Sequence, residues 1–503
     1  MSGAGTDHKD ISALGLLEGA HRAGKWPENG AGKVAITGLS VDSRDTRPGH
    51  LFAALPGVHR HGAEFIAFAL RMGAAAILTD EEGLELAGEV DIPVIVHDDP
   101  RLALSRAAAR WFASQPETMV AVTGTNGKTS VASFTRQIWE ADGARAVNFG
   151  TTGVEGALSR PLTHTTPEPI TLHRLLAELA DAGVTHAAME ASSHGLAQRR
   201  LDGVQLRAAA FTNISRDHLD YHPTFDDYFF AKSGLFQRVL PGDGTAVIDL
   251  DDQMGLTLAE AARARGQRVI GTGRREAADL RLLSQRFDST GQDIRFSWEG
   301  EVHMARLELI GGFQGENALV AAGLAIATGV APHTVFTALS SLLAVRGRMQ
   351  RAAQRSNGAS IFVDYAHTPD ALETALRALR PHVMGRLLVV FGAGGDRDPG
   401  KRPVMGAAAR DFADVVFVTD DNPRSEDPAA IRAQIMEAVP EANEIGDRAQ
   451  AILTAVDALQ PGDTLLIAGK GHETGQTVGE DVLPFDDIEQ ASIAVAALEG
   501  RMP

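Results

Sequence analysis

Val120-Ala121-Val122-Thr123-Gly124-Thr125-Asn126-Gly127-Lys128-Thr129-Ser130 reads as a buried strand running into a glycine-rich turn, then a lysine and two hydroxyls that open a helix. Val131, Phe134, Ile138 and Trp139 follow at helical spacing and place apolar side chains on one face. Such a turn lets backbone N–H groups close around phosphate oxygens, the lysine supplies a mobile positive charge, and a hydroxyl can hold Mg²⁺. The strict eight-residue pattern has glycine where this chain has Val122, so a plain strand-turn-helix is the competing reading. A nucleoside triphosphate is the ligand implied.

Outward from this stretch, short apolar runs alternate with helical patterns, the mark of an α/β fold with mostly parallel sheets. The runs 74–78, 94–96, 119–123, 185–189, 208–212, 361–363, 387–391, 415–418 and 464–468 are expected strands, while 280–310 alternates like antiparallel strands around Ile294, Phe296 and Trp298. With 503 residues the chain exceeds one ordinary core. Breaks near 114–118 and 345–349 divide it into expected domains 1–116, 117–345 and 346–503. A net charge of −18 argues against a nucleic-acid partner. The absence of cysteine excludes disulfides and thiolate chemistry. No apolar run is long enough for a membrane span, and 1–17 lacks the pattern of a secretory signal. A monomeric, cytoplasmic enzyme is expected.

Polar residues gather at strand ends. Glu190 closes one strand, where a carboxylate can ligate Mg²⁺ beside phosphates or simply cap a helix. His218 sits in the polar block after the next strand and could be a metal ligand or a base, although a lone histidine is more often a solvated or core residue. Lys232, in the aromatic run Phe229-Phe230-Ala231-Lys232, reads on its own as a snorkelling lysine. In the last third, Asp364-Tyr365-Ala366-His367, Gly392-Ala393-Gly394-Gly395-Asp396-Arg397, Asp421-Asn422-Pro423-Arg424 and Gly469-Lys470-Gly471-His472-Glu473 each end a strand. The second of these looks like a dinucleotide fingerprint, but Arg397 takes the third glycine position. Together they favour a pocket for a charged, amino-acid-like ligand.

In this order the blocks resemble the Mur ligases of peptidoglycan synthesis, nearest the type that adds 2,6-diaminopimelate to UDP-N-acetylmuramoyl-L-alanyl-D-glutamate. The likeness runs from Val41-Asp42-Ser43-Arg44 to Gly469-Lys470-Gly471-His472-Glu473. It implies a smaller N-terminal α/β domain for the UDP-sugar, a central P-loop-type domain with a mostly parallel sheet for ATP, and a C-terminal Rossmann-like domain for the amino acid. ATP and Mg²⁺ are the implied cofactors; the partners are the UDP-N-acetylmuramoyl dipeptide and meso-diaminopimelate. Gly124, Thr125, Asn126, Gly127, Lys128, Thr129 and Ser130 correspond to the ATP loop. Lys128, Glu190, His218 and Lys232 correspond to catalytic residues, and Thr129, Glu190, His218 and Lys232 to metal ligands. Lys232 would serve as N6-carboxylysine, because an ammonium cannot ligate a cation whereas a carbamate is an anionic oxygen donor.

For the UDP-sugar the resemblance points to Val41, Ser43, Val58, His59 and Arg60, and to His164, Thr165, Thr166, Ser192, Gln198 and Arg200. For diaminopimelate it points to Arg397, Asp421, Asn422, Pro423, Arg424, Gly469 and Glu473. The implied reaction is amide formation through an acyl phosphate, with domain closure to exclude water. The alternatives are an L-lysine-adding relative, a folylpolyglutamate synthetase, or an ATP-binding switch with little turnover.

Overall fold

The computed structural model describes residues 8–27, 33–57, 60–215 and 221–501. It divides into two compact units, one of Met1–Lys128, Asp142–Ile270 and Ala327–Gly329, the other of Thr129–Ala141, Gly271–Ile326 and Val330–Pro503.

The first unit holds two sheets. In the N-terminal one the strands run in the order Ala20–Gly24, Pro93–His97, Ala76–Thr79, His50–Ala53 and Gly38–Ser40. All neighbours are parallel except the first pair. The central sheet sets Thr118–Thr123 between His186–Glu190 and Ala208–Phe211, both parallel to it. Thr118–Thr123 is an almost unbroken apolar run because both of its faces are covered. Register then fixes chemistry: Glu190 lies opposite Val122 and Phe211 opposite Thr123, so three strands end level, where ligands of open α/β sheets bind.

In the second unit Leu280–Asp288, Gly291–Trp298 and Glu301–Leu307 form the expected antiparallel meander. Ile294, Phe296 and Trp298 all point to its buried side. The C-terminal sheet runs Gln350–Gln354, Ser360–Asp364, Thr464–Ala468, Leu387–Phe391, Val415–Val418 and Asn443–Glu444. Only its first strand is antiparallel. Alternate residues feed opposite cores: Phe362, Val389 and Leu466 pack on one face, Ile361, Leu388 and Leu465 on the other. The last parallel strand to form in sequence, Thr464–Ala468, inserts between the first two, and a crevice opens at such a switch point.

Candidate active site

The phosphate turn leaves its strand through Gly124 and Gly127, with φ +147° and +87°. A Cβ on Gly124 would lie 1.9 Å from Thr212 Oγ1, so that position is held to glycine by both backbone and space. The neighbouring strand end braces the loop. Thr125 N donates to Asn213 O at 2.9 Å, Asn126 N to Asn213 Oδ1 at 3.0 Å, and Thr212 Oγ1 to Asn126 O at 2.6 Å. Lys128 Nζ donates to the carbonyls of Gly124 and Thr125 at 3.0 and 2.8 Å. Thr129 and Ser130, both buried, continue the helix Lys128–Ala141.

Lys232 does not snorkel. It is 1% exposed, and its ammonium donates to the same Gly124 carbonyl at 2.7 Å while lying 4.5 Å from the centre of the Tyr228 ring. The helix Phe225–Gly234 places Tyr228 and Lys232 four residues apart on one face, and the Tyr228 hydroxyl reaches Thr125 Oγ1 at 3.1 Å. Two lysine cations thus converge on one backbone oxygen.

Glu190 is not a helix cap either. Only 2% exposed, it accepts from Thr151 N at 2.7 Å and Thr151 Oγ1 at 3.2 Å, while Ser192 caps the short helix Ser193–Ala197. Thr166 Oγ1 donates to Glu190 O, Ser192 N donates to Thr166 Oγ1, and Thr165 Oγ1 lies 3.2 Å from Thr151 Oγ1. Arg200 donates to Thr166 O and to Gln198 Oε1, joining these expected UDP-sugar residues into one hydrogen-bonded group. His164 adjoins it in sequence, 3.1 Å from Thr163 Oγ1. On the N-terminal sheet the expected contacts are local: Val41 packs into the core, Ser43 opens a 3₁₀ turn, and Arg60 lies 3.8 Å from Glu64. His218, Val58 and His59 lie outside the described residues.

The second unit gathers the expected amino-acid pocket at the ends of its parallel strands. Asn422 Nδ2 donates to Glu473 Oε2 at 3.0 Å. Gly469 has φ +115°, and a Cβ there would come within 2.5 Å of Asp421 Oδ2, so glycine lets that carboxylate approach the strand end. Arg424 adopts φ +53° and is held by backbone bonds to Thr477 and Gly479, while its Nη1 donates to Gly395 O at 2.8 Å. Arg424 shares this left-handed backbone with Ala113, Arg199, Glu299, Met349 and Asp396 among the described residues. The glycines of the 392–395 turn explain the false fingerprint. A Cβ on Gly395 would meet Pro423 O at 1.9 Å, and one on Gly394 would meet Arg424 Nη1 at 2.8 Å. They make room for the 421–424 loop.

Sequence reasoning gave Thr151, Tyr228, Arg448 and Asp487 no role, and set Tyr365 and His472 only in their strand-end clusters. Thr151 holds Glu190 from 39 positions away, a pairing only the fold creates. Tyr228 had a usable signal in its helical spacing to Lys232. Tyr365 stacks near His472, with ring centroids 4.9 Å apart, and the Arg348 guanidinium lies 4.8 Å from the Tyr365 centroid. Burial, with Arg348, Arg346 and His367 nearby, pushes His472 down to about 4. Arg448 and Asp487 form a fully buried two-bond pair beneath the pocket, both bonds 2.7 Å, with Arg448 also donating to Ala468 O.

Comparison with known proteins follows the same division of labour. The Mur ligase family catalytic domain matches residues 35–112, the Mur ligase middle domain 122–325 and the Mur ligase glutamate ligase domain 347–471. A Brucella melitensis protein named UDP-N-acetylmuramoyl-L-alanyl-D-glutamate--2,6-diaminopimelate ligase is 53% identical over 470 residues, covering 93% of this chain and 95% of its own. The chain belongs to the Mur ligase family. A second Mur ligase of that name, from Chelativorans sp., is 52% identical over 466 residues, 92% of this chain and 96% of its own. A solved Mur ligase structure bearing the same name superposes with a TM-score of 0.72 at 32% identity, covering 98% of this chain and all of that one. Membership makes the chain an ATP-dependent ligase with a multi-domain α/β fold.

Proposed function

We propose that this Mur ligase joins meso-2,6-diaminopimelate to the D-glutamyl carboxyl of UDP-N-acetylmuramoyl-L-alanyl-D-glutamate and splits ATP to ADP and phosphate. The observation that carries the reading is 53% identity along 95% of a relative with that name. Segments 1–116, 117–345 and 346–503 take the UDP-sugar, ATP and the amino acid respectively, a division supported by three successive family matches. The enzyme works as a monomer in the cytoplasm, where ATP is at hand. No helix among the described residues is long and apolar enough to cross a membrane.

A carboxylate is a poor acyl donor because its oxygen leaves badly. Its attack on the γ-phosphorus, with departure of ADP, makes an acyl phosphate; the amine then adds to the acyl carbon and expels phosphate. With the N–H groups of Thr125 and Asn126 held by Asn213, the N–H groups of Gly127 and of the first turn of the helix Lys128–Ala141 would meet the phosphates, and Lys128 would exchange carbonyl acceptors for phosphate oxygens. Glu190 and a carbamylated Lys232 would hold Mg²⁺, which when bound supplies neutralising charge at the phosphates. The residues fit this role. Two ammonium groups share the Gly124 carbonyl, and carbamylation of Lys232 replaces one of them by an anionic oxygen donor beside Lys128.

Arg424 discriminates between amino acids. Meso-diaminopimelate has a distal carboxylate that accepts two bonds from a guanidinium; lysine has none and leaves the arginine unpaired. Purified protein with ATP, the UDP-muramoyl dipeptide and a panel of diamino acids tests the reading. Phosphate release should require meso-diaminopimelate, and ¹⁸O from the D-glutamyl carboxylate should appear in that phosphate. Equal efficiency with L-lysine would promote the lysine-adding alternative, and AMP as product would overturn the acyl-phosphate route.

A further inference from the structure

Lys470 has no side-chain role in the reaction as described, yet it is completely buried at the end of the strand Thr464–Ala468. Its ammonium donates to Asn422 Oδ1 at 2.9 Å and to Gly475 O at 2.8 Å, and stands 3.6 Å from Glu473 Oε2. Asn422 Oδ1 accepts a second bond, from Thr477 N at 2.9 Å. An ammonium and a backbone N–H only donate, so both demand oxygen from the Asn422 amide. The opposite amide orientation would face NH₂ to two donors. With Oδ1 committed, Nδ2 has one direction left, and it donates to Glu473 Oε2 at 3.0 Å.

The charges fit the same purpose. Burial first, and then the Arg448 guanidinium, push the Lys470 ammonium below its ordinary value, while Asp421, Glu473 and Asp487 oppose that shift, so the cation is placed among carboxylates that favour it. A pocket so cross-linked receives a ligand ammonium on Glu473 without first having to turn a side chain.

We propose that Lys470 is a positioning residue for the amino-acid substrate, orienting the Asn422 amide and, through its Nδ2, the Glu473 carboxylate that receives the distal ammonium of a diamino acid. The inference rests on reading this pocket as the diaminopimelate site.

Lys470→Met, which keeps length and removes donors and charge, should raise KM for meso-diaminopimelate about 10- to 100-fold, as loss of a buried charge-assisted contact does. KM for ATP and for the UDP-muramoyl dipeptide should stay within about 2-fold on the same grounds. Lys470→Gln keeps an N–H for Asn422 Oδ1 without charge, and should lose less affinity for meso-diaminopimelate than Lys470→Met. The double variant Lys470→Met/Glu473→Gln should be no worse for diaminopimelate than Glu473→Gln alone. If Glu473→Gln leaves that KM unchanged, the pocket assignment fails. If Glu473→Gln raises it but Lys470→Met changes all three KM values equally, or adds fully to Glu473→Gln, the Lys470 proposal fails. Failure of both Lys470 variants to fold would assign the residue to folding and overturn it as well.

Discussion

Two strand ends hold the residues proposed for the chemistry, and they are wired in different ways. Beyond Thr118–Thr123 the cradle is backbone: glycine torsions shape it, and Lys128 and Lys232 rest on main-chain carbonyls. Beyond Thr464–Ala468 the cations also rest on carbonyls, but there side chains hold one another as well, Arg448 with Asp487 and Lys470 with Asn422 beside Glu473. A lysine on a carbonyl can turn to a phosphate at little cost, because one neutral acceptor replaces another by a charged one. A cross-linked side-chain pocket is stiff, and removing one member strands the rest without partners. The first arrangement suits a ligand that changes during reaction; the second suits choosing between similar amino acids.

If that contrast is right, the largest effect belongs to selectivity. Arg424→Gly removes the fork while relaxing φ +53° to a residue that adopts it freely. The preference for meso-diaminopimelate over L-lysine should collapse by roughly 10⁴, the scale on which sites built around a polar contact reject analogues lacking it. Urea unfolding should shift by less than about 1 kcal/mol, since strain relief offsets the lost bond to Gly395. Arg424→Lys should not restore selectivity, because a point charge cannot reproduce the fork. Retained preference in either variant would take Arg424 out of the pocket.

At the other strand end, Lys232→Ala should lower turnover by on the order of 10³ while ATP affinity, carried by the backbone cradle, changes only a few-fold. Stripping bicarbonate and CO₂ should reduce wild-type activity, and a liganded crystal should show a planar group beyond Nζ. An unmodified lysine in a fully active crystal would sink the carbamate. Next in size is the buried pair under the amino-acid pocket. Asp487→Ala strands Arg448 in a dry site and should cost about 3 kcal/mol in denaturant unfolding. Exposed pairs such as Arg306 with Asp288 should cost well under that.

How much of this was legible in the chain follows from the same contrast. Parallel strands buried on both faces read as apolar runs ending in polar clusters, so Glu190, the 421–424 loop and the 469–473 turn were placed at strand ends from sequence. The N-terminal strands Gly38–Ser40 and His50–Ala53 are three and four residues long and carried too little pattern to be seen. Without the family resemblance Lys232 reads as snorkelling, because its aromatic neighbours say nothing of the Gly124 carbonyl that lies 108 positions away in the chain. Arg448 and Asp487 look like ordinary surface charges in sequence; only the closing of the helix Asp487–Leu498 onto the sheet buries them.

The smallest effect separates the two units by two histidines brought to the same place for different reasons. His173, 2% exposed on the helix Pro169–Asp181 and with Nε2 lacking a hydrogen-bond partner, is pushed down to about 4 by burial alone. His472 reaches about 4 by burial together with Arg348, Arg346 and His367. Both are neutral in the fold and titrate near 6.5 when unfolded. Their stability is therefore fully present above pH 6.5 and is lost as pH falls toward 4, because the unfolded chain takes up protons that the folded one refuses. For His173 the loss is about 1 kcal/mol at one pH unit below the unfolded value, and His173→Leu should remove that part of the acid-side decline in urea midpoint. Salt tells the two apart. Charges are screened by added salt whereas burial is not, so carbon-13-labelled histidine titrations should show His472 rising by a few tenths of a pH unit at high ionic strength while His173 stays fixed. Equal movement of both would mean that the amino-acid pocket is no more charge-wired than the rest of the protein, and the contrast between the two strand ends would not hold.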